Sequence, residues 1–371
     1  MCAKQPITCV IFGLLFLSAG CRNAENNLYR IPLKEALPGN VHRFSAGEVI
    51  DSVRYIPLET TDSCFIGDLY KILCWKDFYY IRDLQGNLYL FTTQGHFLRK
   101  IGKQGRGPEE YTALCDFAVD PANGDIYLLT LGKVMVFSLY GELKNTFPVS
   151  TDWQVCTFAP SGLLAFITPV SSSQAPFYLL NLCDKQGETV LQIPGQPVNC
   201  GFVYYNWIQE QGGKAFYKEE FSDTLYYLDA KNTPHPYACM DFGNFRFVPA
   251  LFDFAKAEKW TKYYRLDGVF NFTRTLVMNV QQGLVDKNIQ SYLFDKSSGT
   301  IGTLGKRSRQ KGFIIDGIEC FPLAACENQL ICAAYASQLP ENPAIKSPQL
   351  KAIANSMSPD SNPLLVVLFM K

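Results

Sequence analysis

A turn-bearing segment recurs along this chain at nearly constant spacing. Phe91-Thr92-Thr93-Gln94-Gly95 is followed 46 residues later by Phe137-Ser138-Leu139-Tyr140-Gly141, and after a further 46 by Cys183-Asp184-Lys185-Gln186-Gly187. Leu228-Asp229-Ala230-Lys231-Asn232 follows 45 residues on, with Asn replacing Gly as a second residue type that tolerates positive φ. Phe294-Asp295-Lys296-Ser297-Ser298-Gly299 is a fifth copy, displaced by an insertion. A period in the forties that holds four short strands is the signature of a propeller blade.

Residues 65–111 are the clearest copy. Asp68 to Leu73, Phe78 to Ile81, Leu88 to Phe91 and Phe97 to Ile101 are short runs rich in aromatic and aliphatic residues. Tight turns at Gln85-Gly86-Asn87 and Gln94-Gly95-His96 join the later runs. Turns this short make antiparallel neighbours, because a parallel pair needs a long crossover. The unit is therefore a four-stranded meander ending in a glycine-rich loop.

Five further copies are expected. Blade two runs from Cys115 to Phe147, blade three from Val155 to Ile193, and blade four from Asn206 to Asp241. Blade five runs from Val269 to Leu304, and blade six starts near Ile318 and finishes at Leu364 to Phe369. Blade six lacks an outer strand, while Val49 to Pro57 is a strand without a blade. Placing the second on the first closes the ring and removes two open edges. The predicted fold class is all-β, a six-bladed β-propeller of four-stranded antiparallel blades, closed by the N-terminal strand. Two small helical insertions interrupt it. Residues 249–265 have helical spacing at Leu251, Phe254, Ala255 and Glu258. In residues 338–363, Ser347-Pro348 reads as a helix start, with Leu350, Ile353 and Ala354 facing the body. Such insertions emerge on a propeller face, which carries function more often than strands do, or they are simply packed decoration.

The N-terminus reads as an address. Lys4 precedes an apolar run from Ile7 to Phe16, too short to span a bilayer as a helix. Leu17-Ser18-Ala19-Gly20-Cys21 then resembles a bacterial lipobox, with Ser18 where Leu is usual. Residues 1–20 are expected to be a lipoprotein signal peptide and Cys21 the lipidated residue, the alternative being an ordinary secretory signal cut nearby. Residues 21–44 are expected to form a tether, and residues 45–371 the propeller domain. Acyl chains would then hold the protein on a membrane without a spanning helix. The expected location is the cell envelope, on either face of the outer membrane.

The 371 residues carry 34 basic and 34 acidic side chains, and no basic tract. Net charge and pattern therefore exclude a nucleic-acid stripe. Thirteen cysteines suggest a disulfide scaffold until they are placed. Cys2 and Cys9 belong to the signal, and Cys74, Cys115, Cys156, Cys239 and Cys332 sit in apolar runs. Most are expected to be unpaired and buried. Export permits disulfides, and Cys320, Cys326 and Cys332 are close enough in sequence to consider. There is no Cys-x-x-Cys and no Cys/His zinc spacing.

The chain resembles the six-bladed β-propeller lipoproteins of Gram-negative gut anaerobes, distant relatives of NHL-type propellers. Val53 to Glu59, Ile66-Gly67-Asp68, Gly102 to Tyr111, Phe221 to Tyr226 and Asp241-Phe242-Gly243 carry the resemblance. Glu109 stands where Gly is commoner, and blades five and six diverge. The resemblance implies the fold and an exported lipoprotein, and little about activity.

Chemistry has few footholds. The loop Gly102 to Tyr111 could offer backbone N–H groups and the fork of Arg106 to an anion or sugar acid, or could simply connect two blades. No Lys-Ser/Thr follows it, so phosphate-loop chemistry is excluded. Glu109/Glu110 and Glu219/Glu220 are adjacent pairs whose side chains point to opposite faces of a strand, so neither pair alone can flank a glycosidic bond. Asp120-Pro121-Ala122-Asn123-Gly124-Asp125 glances at a calcium loop but has Leu131 where an EF-hand needs an acid, and reads better as a hairpin turn. His42, His96 and His235 have no metal or triad spacing. Tyr204, Tyr205, Trp207, Trp260, Tyr263 and Tyr264 could stack on sugars or grip a protein, or pack in the core.

The candidate ligand-binding residues are thus Arg106, Glu109, Glu110, Tyr111, Trp207 and Trp260, with no catalytic residue, metal or cofactor expected. The leading expectation is a monomeric, lipid-anchored, non-catalytic binding or scaffold protein for a glycan, peptide or envelope partner. The alternative is a carbohydrate-active hydrolase or lyase with its site at the channel mouth. The position of the 102–111 loop relative to Asp68, Asp116 and Glu319 discriminates between them.

Overall fold

A computed structural model describes residues 28–37, 41–169, 176–197, 207–219, 221–248, 260–283, 288–304 and 312–371. Among these, six sheets follow one another in chain order. Blade one comprises Leu69–Trp75, Phe78–Asp83, Leu88–Thr92 and Phe97–Ile101. Blade two comprises Leu114–Val119, Ile126–Thr130, Lys133–Phe137 and Leu143–Pro148. Blade three comprises Val155–Phe158, Leu164–Ile167, Tyr178–Cys183 and Thr189–Pro194. Blade four comprises Trp207–Gln211, Lys214–Lys218, Thr224–Leu228 and Pro234–Met240. Blade five comprises Tyr264–Asn271, Thr275–Gln282, Asn288–Asp295 and Thr300–Leu304. Blade six is built from Phe313–Ile315, Ile318–Cys326, Gln329–Ala334 and Leu364–Met370, and Ile50–Pro57 closes it from outside, antiparallel to Leu364–Met370.

The recurrent turn residues explain the repeat. Gly95, Gly141, Gly187, Asn232 and Gly299 have φ of 90°, 83°, 92°, 62° and 72°. The same left-handed position closes the hairpin between the third and outer strands of five blades, and few residue types occupy it without strain.

The core lies in six slabs, one between each pair of neighbouring blades, rather than at one centre. Strand alternation feeds both faces of each blade. In Leu364–Met370, Leu364, Val366 and Leu368 enter the slab shared with blade five, while Leu365 and Val367 enter the slab shared with blade one. Both faces are apolar, so the strand reads as a continuous hydrophobic run.

Two expectations change. Blades four, five and six are five-stranded, not four-stranded. The segment expected as a tether over 21–44 is folded where it is described. Tyr29–Ile31 pairs parallel to Pro234–Met240, and His42–Phe44 pairs parallel to Thr300–Leu304. Ile31 and Leu33 are fully buried, so apolar burial holds this segment against blades four and five. Residues 1–27, with the signal and Cys21, lie outside the described residues, as does 249–259 of the first expected helix. The second helix is present as Pro348–Ser356. Ser347 Oγ accepts from Leu350 N, and Leu350 and Ala354 are buried.

The cysteine expectation holds for most and fails for one pair. Cys64, Cys115, Cys156, Cys183, Cys239, Cys320 and Cys332 are free. Cys74 and Cys326 form a disulfide across 252 residues, joining the inner strands of blades one and six. Neither cysteine's sequence neighbourhood signals the other, because only ring closure brings them together.

Candidate functional site

Among the described residues a concavity opens at the seam where blade six meets blade one. It has a volume of about 300 Å³. One wall is Phe65 to Asp68, the connector entering blade one. The other is built from the two ends of the blade-six insertion, Tyr335 to Ser337 and Pro359 to Pro363, and Gln85 from a blade-one turn completes the rim. These are all connections on one face of the ring.

The walls are held by polar contacts that the local sequence does not announce. Asn362 is fully buried. Its Oδ1 accepts from Ile66 N at 2.7 Å, and its Nδ2 donates to Glu59 O at 2.7 Å and to Cys64 O at 3.0 Å. The Tyr89 hydroxyl donates to Phe65 O at 3.0 Å, and Leu84 N donates to Asp68 O at 2.9 Å. The reciprocal pair Ser358 N to Ser361 Oγ and Ser361 N to Ser358 O fixes the turn that carries Asp360. The cleft is thus shaped before any ligand arrives, which lowers the ordering cost of binding.

Its functional groups are aromatic and acidic. Phe65 is 60% exposed and Tyr335 43% exposed. Tyr335 donates its hydroxyl to Asp68 Oδ1 at 3.1 Å. Burial, and then the Asp68 charge, push the Tyr335 phenol above its usual range, so it remains a donor. Aromatic faces beside carboxylates, an amide and hydroxyls match the C–H faces and hydroxyls of sugars, and equally the stem and head of a cationic side chain.

No residue of the 102–111 loop lines the cleft, although Tyr111 reaches the turn next to Gln85, and the loop is closed on itself. Glu110 occupies the concavity that its glycines create. Its carboxylate accepts from Gly107 N at 2.8 Å and pairs with Lys103 Nζ at 2.9 Å. Lys103 first, and then the backbone N–H groups, hold the Glu110 carboxyl below its usual range. A Cβ on Gly105 would lie 1.9 Å from Glu110 Oε2, so the glycine makes room for the chain's own anion. Tyr111 is buried and donates to Gly86 O at 3.0 Å. Arg106 and Glu109 are exposed on the same loop.

The remaining expected residues are dispersed. Trp207 opens the inner strand of blade four and packs into the slab shared with blade five. Its buried indole N–H finds no acceptor among the described residues. Trp260 is only 3% exposed, with its ring edge-on to Phe247 at 6.3 Å, so it belongs to the core rather than to an exposed aromatic face. Tyr204, Tyr205 and Glu220 lie outside the described residues.

The discriminating acids do not converge. Asp68 lines the cleft. Asp116 is buried and binds Lys71 Nζ at 2.8 and 2.9 Å while accepting from Cys156 N at 2.9 Å. Lys71 also donates to Phe117 O and Cys156 O, so this pair ties the inner strands of blades one, two and three together. Glu319 accepts from Gly312 N at 3.0 Å. The second acid at the cleft is Asp360, which sequence reading passed over. The signal that could have found it is the insertion at 338–363, whose ends build the wall.

Comparison with known proteins bears on fold and family. The crystal structure of a protein from Bacteroides fragilis NCTC 9343, described as exported, superposes with a TM-score of 0.71 at 15% identity, covering 93% of this chain and 100% of that one. A DUF4221 family member from Bacteroides vulgatus ATCC 8482 superposes with a TM-score of 0.54 at 10% identity, covering 87% and 97%. Both likenesses concern the fold alone. No curated protein matches the sequence. The family described as a domain of unknown function, DUF4934, matches residues 28–369, and this chain belongs to it.

Proposed function

We propose that the chain is an exported, lipid-anchored propeller acting as a non-catalytic binding module, and that the cleft between blades one and six is where it holds an envelope partner. The observation that carries this reading is the cleft itself: a concavity preformed by Asn362, with two exposed aromatic rings and two carboxylates at its rim. The lipobox-like Leu17 to Cys21 supports the address, and the export ascribed to the Bacteroides fragilis protein of the same fold agrees with it.

Two measurements test the reading. Cys21→Ser should move the protein from the membrane fraction to the soluble fraction, because the anchor is the acyl chains; unchanged membrane retention would remove the lipid anchor from the proposal. For the cleft, Gly67→Trp fills the space from one wall. The nearest obstacle to a Cβ there is the flexible Gln85 side chain at 3.4 Å, so the fold should tolerate it. Partner or glycan capture from envelope extract should fall at least about tenfold, a loss of about 1.4 kcal/mol. Glycan turnover abolished by Asp68→Asn would replace this reading with the hydrolase or lyase alternative.

A further inference from the structure

The lining of the cleft is chemically one-sided. Asp68 and Asp360 contribute two carboxylates, and none of the lining residues is Lys, Arg or His. Several acids elsewhere are paired with a cation: Asp116 with Lys71, Asp120 with Lys185, Asp295 with Arg274, Glu110 with Lys103. In the cleft the contact to Asp68 is a neutral phenol. Tyr335 donates to one carboxylate oxygen, and among the described residues no side chain donates to the other. None of the residues lining the cleft supplies a cation to these carboxylates.

The aromatic groups point to the same chemistry. The Phe65 ring is 60% exposed although its backbone carbonyl is pinned by Tyr89, and Tyr335 is 43% exposed although its hydroxyl is tied to Asp68. The Phe65 backbone and the Tyr335 side chain are thus anchored while both residues stay exposed. An aromatic face is electron-rich and attracts an ammonium, most strongly where carboxylates share the site. An anion would meet the opposite field, with two acids and no counter-charge. The volume of about 300 Å³ is at the lower end for small-molecule sites, so the group that enters is compact.

We propose that the cleft binds a protonated amine, carried on a body no larger than one amino-acid side chain or one sugar ring. This rests on the reading of the cleft as the binding site and narrows its ligand to a cation. The ammonium sits between Asp68 and Asp360, and the aliphatic or pyranose body lies against Phe65 and Tyr335. A lysine side chain of a partner protein and an amino sugar of a glycan both present this group.

Calorimetric titration of the full chain, purified in detergent, tests it. The amine probes are Nα-acetyl-lysine methylamide and glucosamine, which separate the two sources. The neutral counterparts are Nα-acetyl-norleucine methylamide and N-acetylglucosamine. At least one amine should bind, and its neutral counterpart should bind at least about tenfold more weakly. Asp68→Asn and Asp360→Asn should each weaken the amine about tenfold, and raised salt should weaken it further, as expected for a partly exposed charge pair. Phe65→Ala, at an exposed position, should weaken it without lowering Tm.

Equal affinity for amine and neutral counterpart overturns the proposal, as does amine binding unchanged in the Asp68→Asn/Asp360→Asn double variant, or failure of every amine to bind. If N-acetylglucosamine alone binds and Gly67→Trp blocks it, the cleft remains the binding site and only the cationic ligand falls. If no probe binds and Gly67→Trp leaves partner capture intact, the cleft falls as the site as well.

Discussion

Asn362 shows how much one side chain can hold at a closing seam. Every polar group of its side chain is used, and its backbone N–H donates to Thr60 Oγ1 at 2.8 Å. Asn362→Ala would strand Ile66 N–H and the Glu59 carbonyl and leave the Cys64 carbonyl with Thr61 N alone, at a cost of about 2–4 kcal/mol. Asn362→Asp should be at least as harmful, because a carboxylate would face the carbonyls of Glu59 and Cys64. Urea unfolding should show a lower midpoint with unchanged slope for both. Asp295 gives a pH-dependent counterpart. Burial alone would raise its carboxyl, but hydrogen bonds from Ser297 and the Arg274 guanidinium outweigh burial and hold it at about 2. A depressed carboxylate stabilises the fold fully above its unfolded value of about 3.9, and loses that contribution as pH falls through about 2. The contribution is about 2 kcal/mol. The stability gap between wild type and Asp295→Asn should therefore be widest above about pH 4 and narrow toward pH 2, as read from urea midpoints across that range. Neither role was visible in the sequence. Asn362 acts on partners some 300 positions away, and Asp295 looks like any turn aspartate until Arg274 is placed beside it.

Elements divide by how much of their burial is periodic. The blade strands are readable because the turn repeats and most strands are five to eight residues of apolar or alternating pattern, as in Leu88–Thr92 and Asn288–Asp295. The helix at Pro348–Ser356 was readable because its cap and its first proline are local signals. Tyr29–Ile31 and His42–Phe44 were not, because three residues carry no period and their parallel pairing comes from distant outer strands. Two segments long enough to look like a tether are instead fifth strands. They cover the outer edges of blades four and five, edges that stay uncovered in blades one, two and three among the described residues, which is one way a sheet avoids edge-to-edge pairing. Ile31→Ala and Leu33→Ala remove fully buried side chains and should each cost about 2–4 kcal/mol, while Arg30→Ala, at an exposed position, should stay within about 0.5 kcal/mol. Chemical denaturation of the three variants decides between a structural segment and a passive tether, since a tether would leave all three unchanged. The candidate site follows the same division. The glycine-rich loop drew attention because its composition is local, and it proved to enclose its own Glu110. The cleft is assembled from a connector, a turn and both ends of an insertion, and no window of sequence contains it.

A ring must be closed, and closure is a property of the whole molecule. Six slabs of core each join two neighbours, so five of them could form along the chain as it folds while the sixth needs the termini brought together. That last slab carries the most devices. Ile50–Pro57 adds the outer strand of blade six, Asn362 binds the connector that follows it, and Cys74 is bonded to Cys326 across the inner strands. The candidate cleft opens on this same seam, so the groups that close the ring also set the cleft's shape. A crosslink across 252 residues restricts a very long loop of the unfolded chain, and stabilisation of about 2–5 kcal/mol is expected from its removal of denatured-state entropy. Cys74→Ser/Cys326→Ser should therefore lower Tm while leaving the circular dichroism of the native sheets unchanged, because strand pairing and apolar slabs remain. Its effect should concentrate at the seam. Hydrogen exchange should quicken in Leu69–Trp75 and Ile318–Cys326 and stay slow in blades two to four, whose slabs do not depend on the bond. Uniformly faster exchange would mean that the disulfide supports the ring only through global stability. Unchanged exchange with unchanged Tm would mean that β-strand closure and Asn362 hold the seam by themselves.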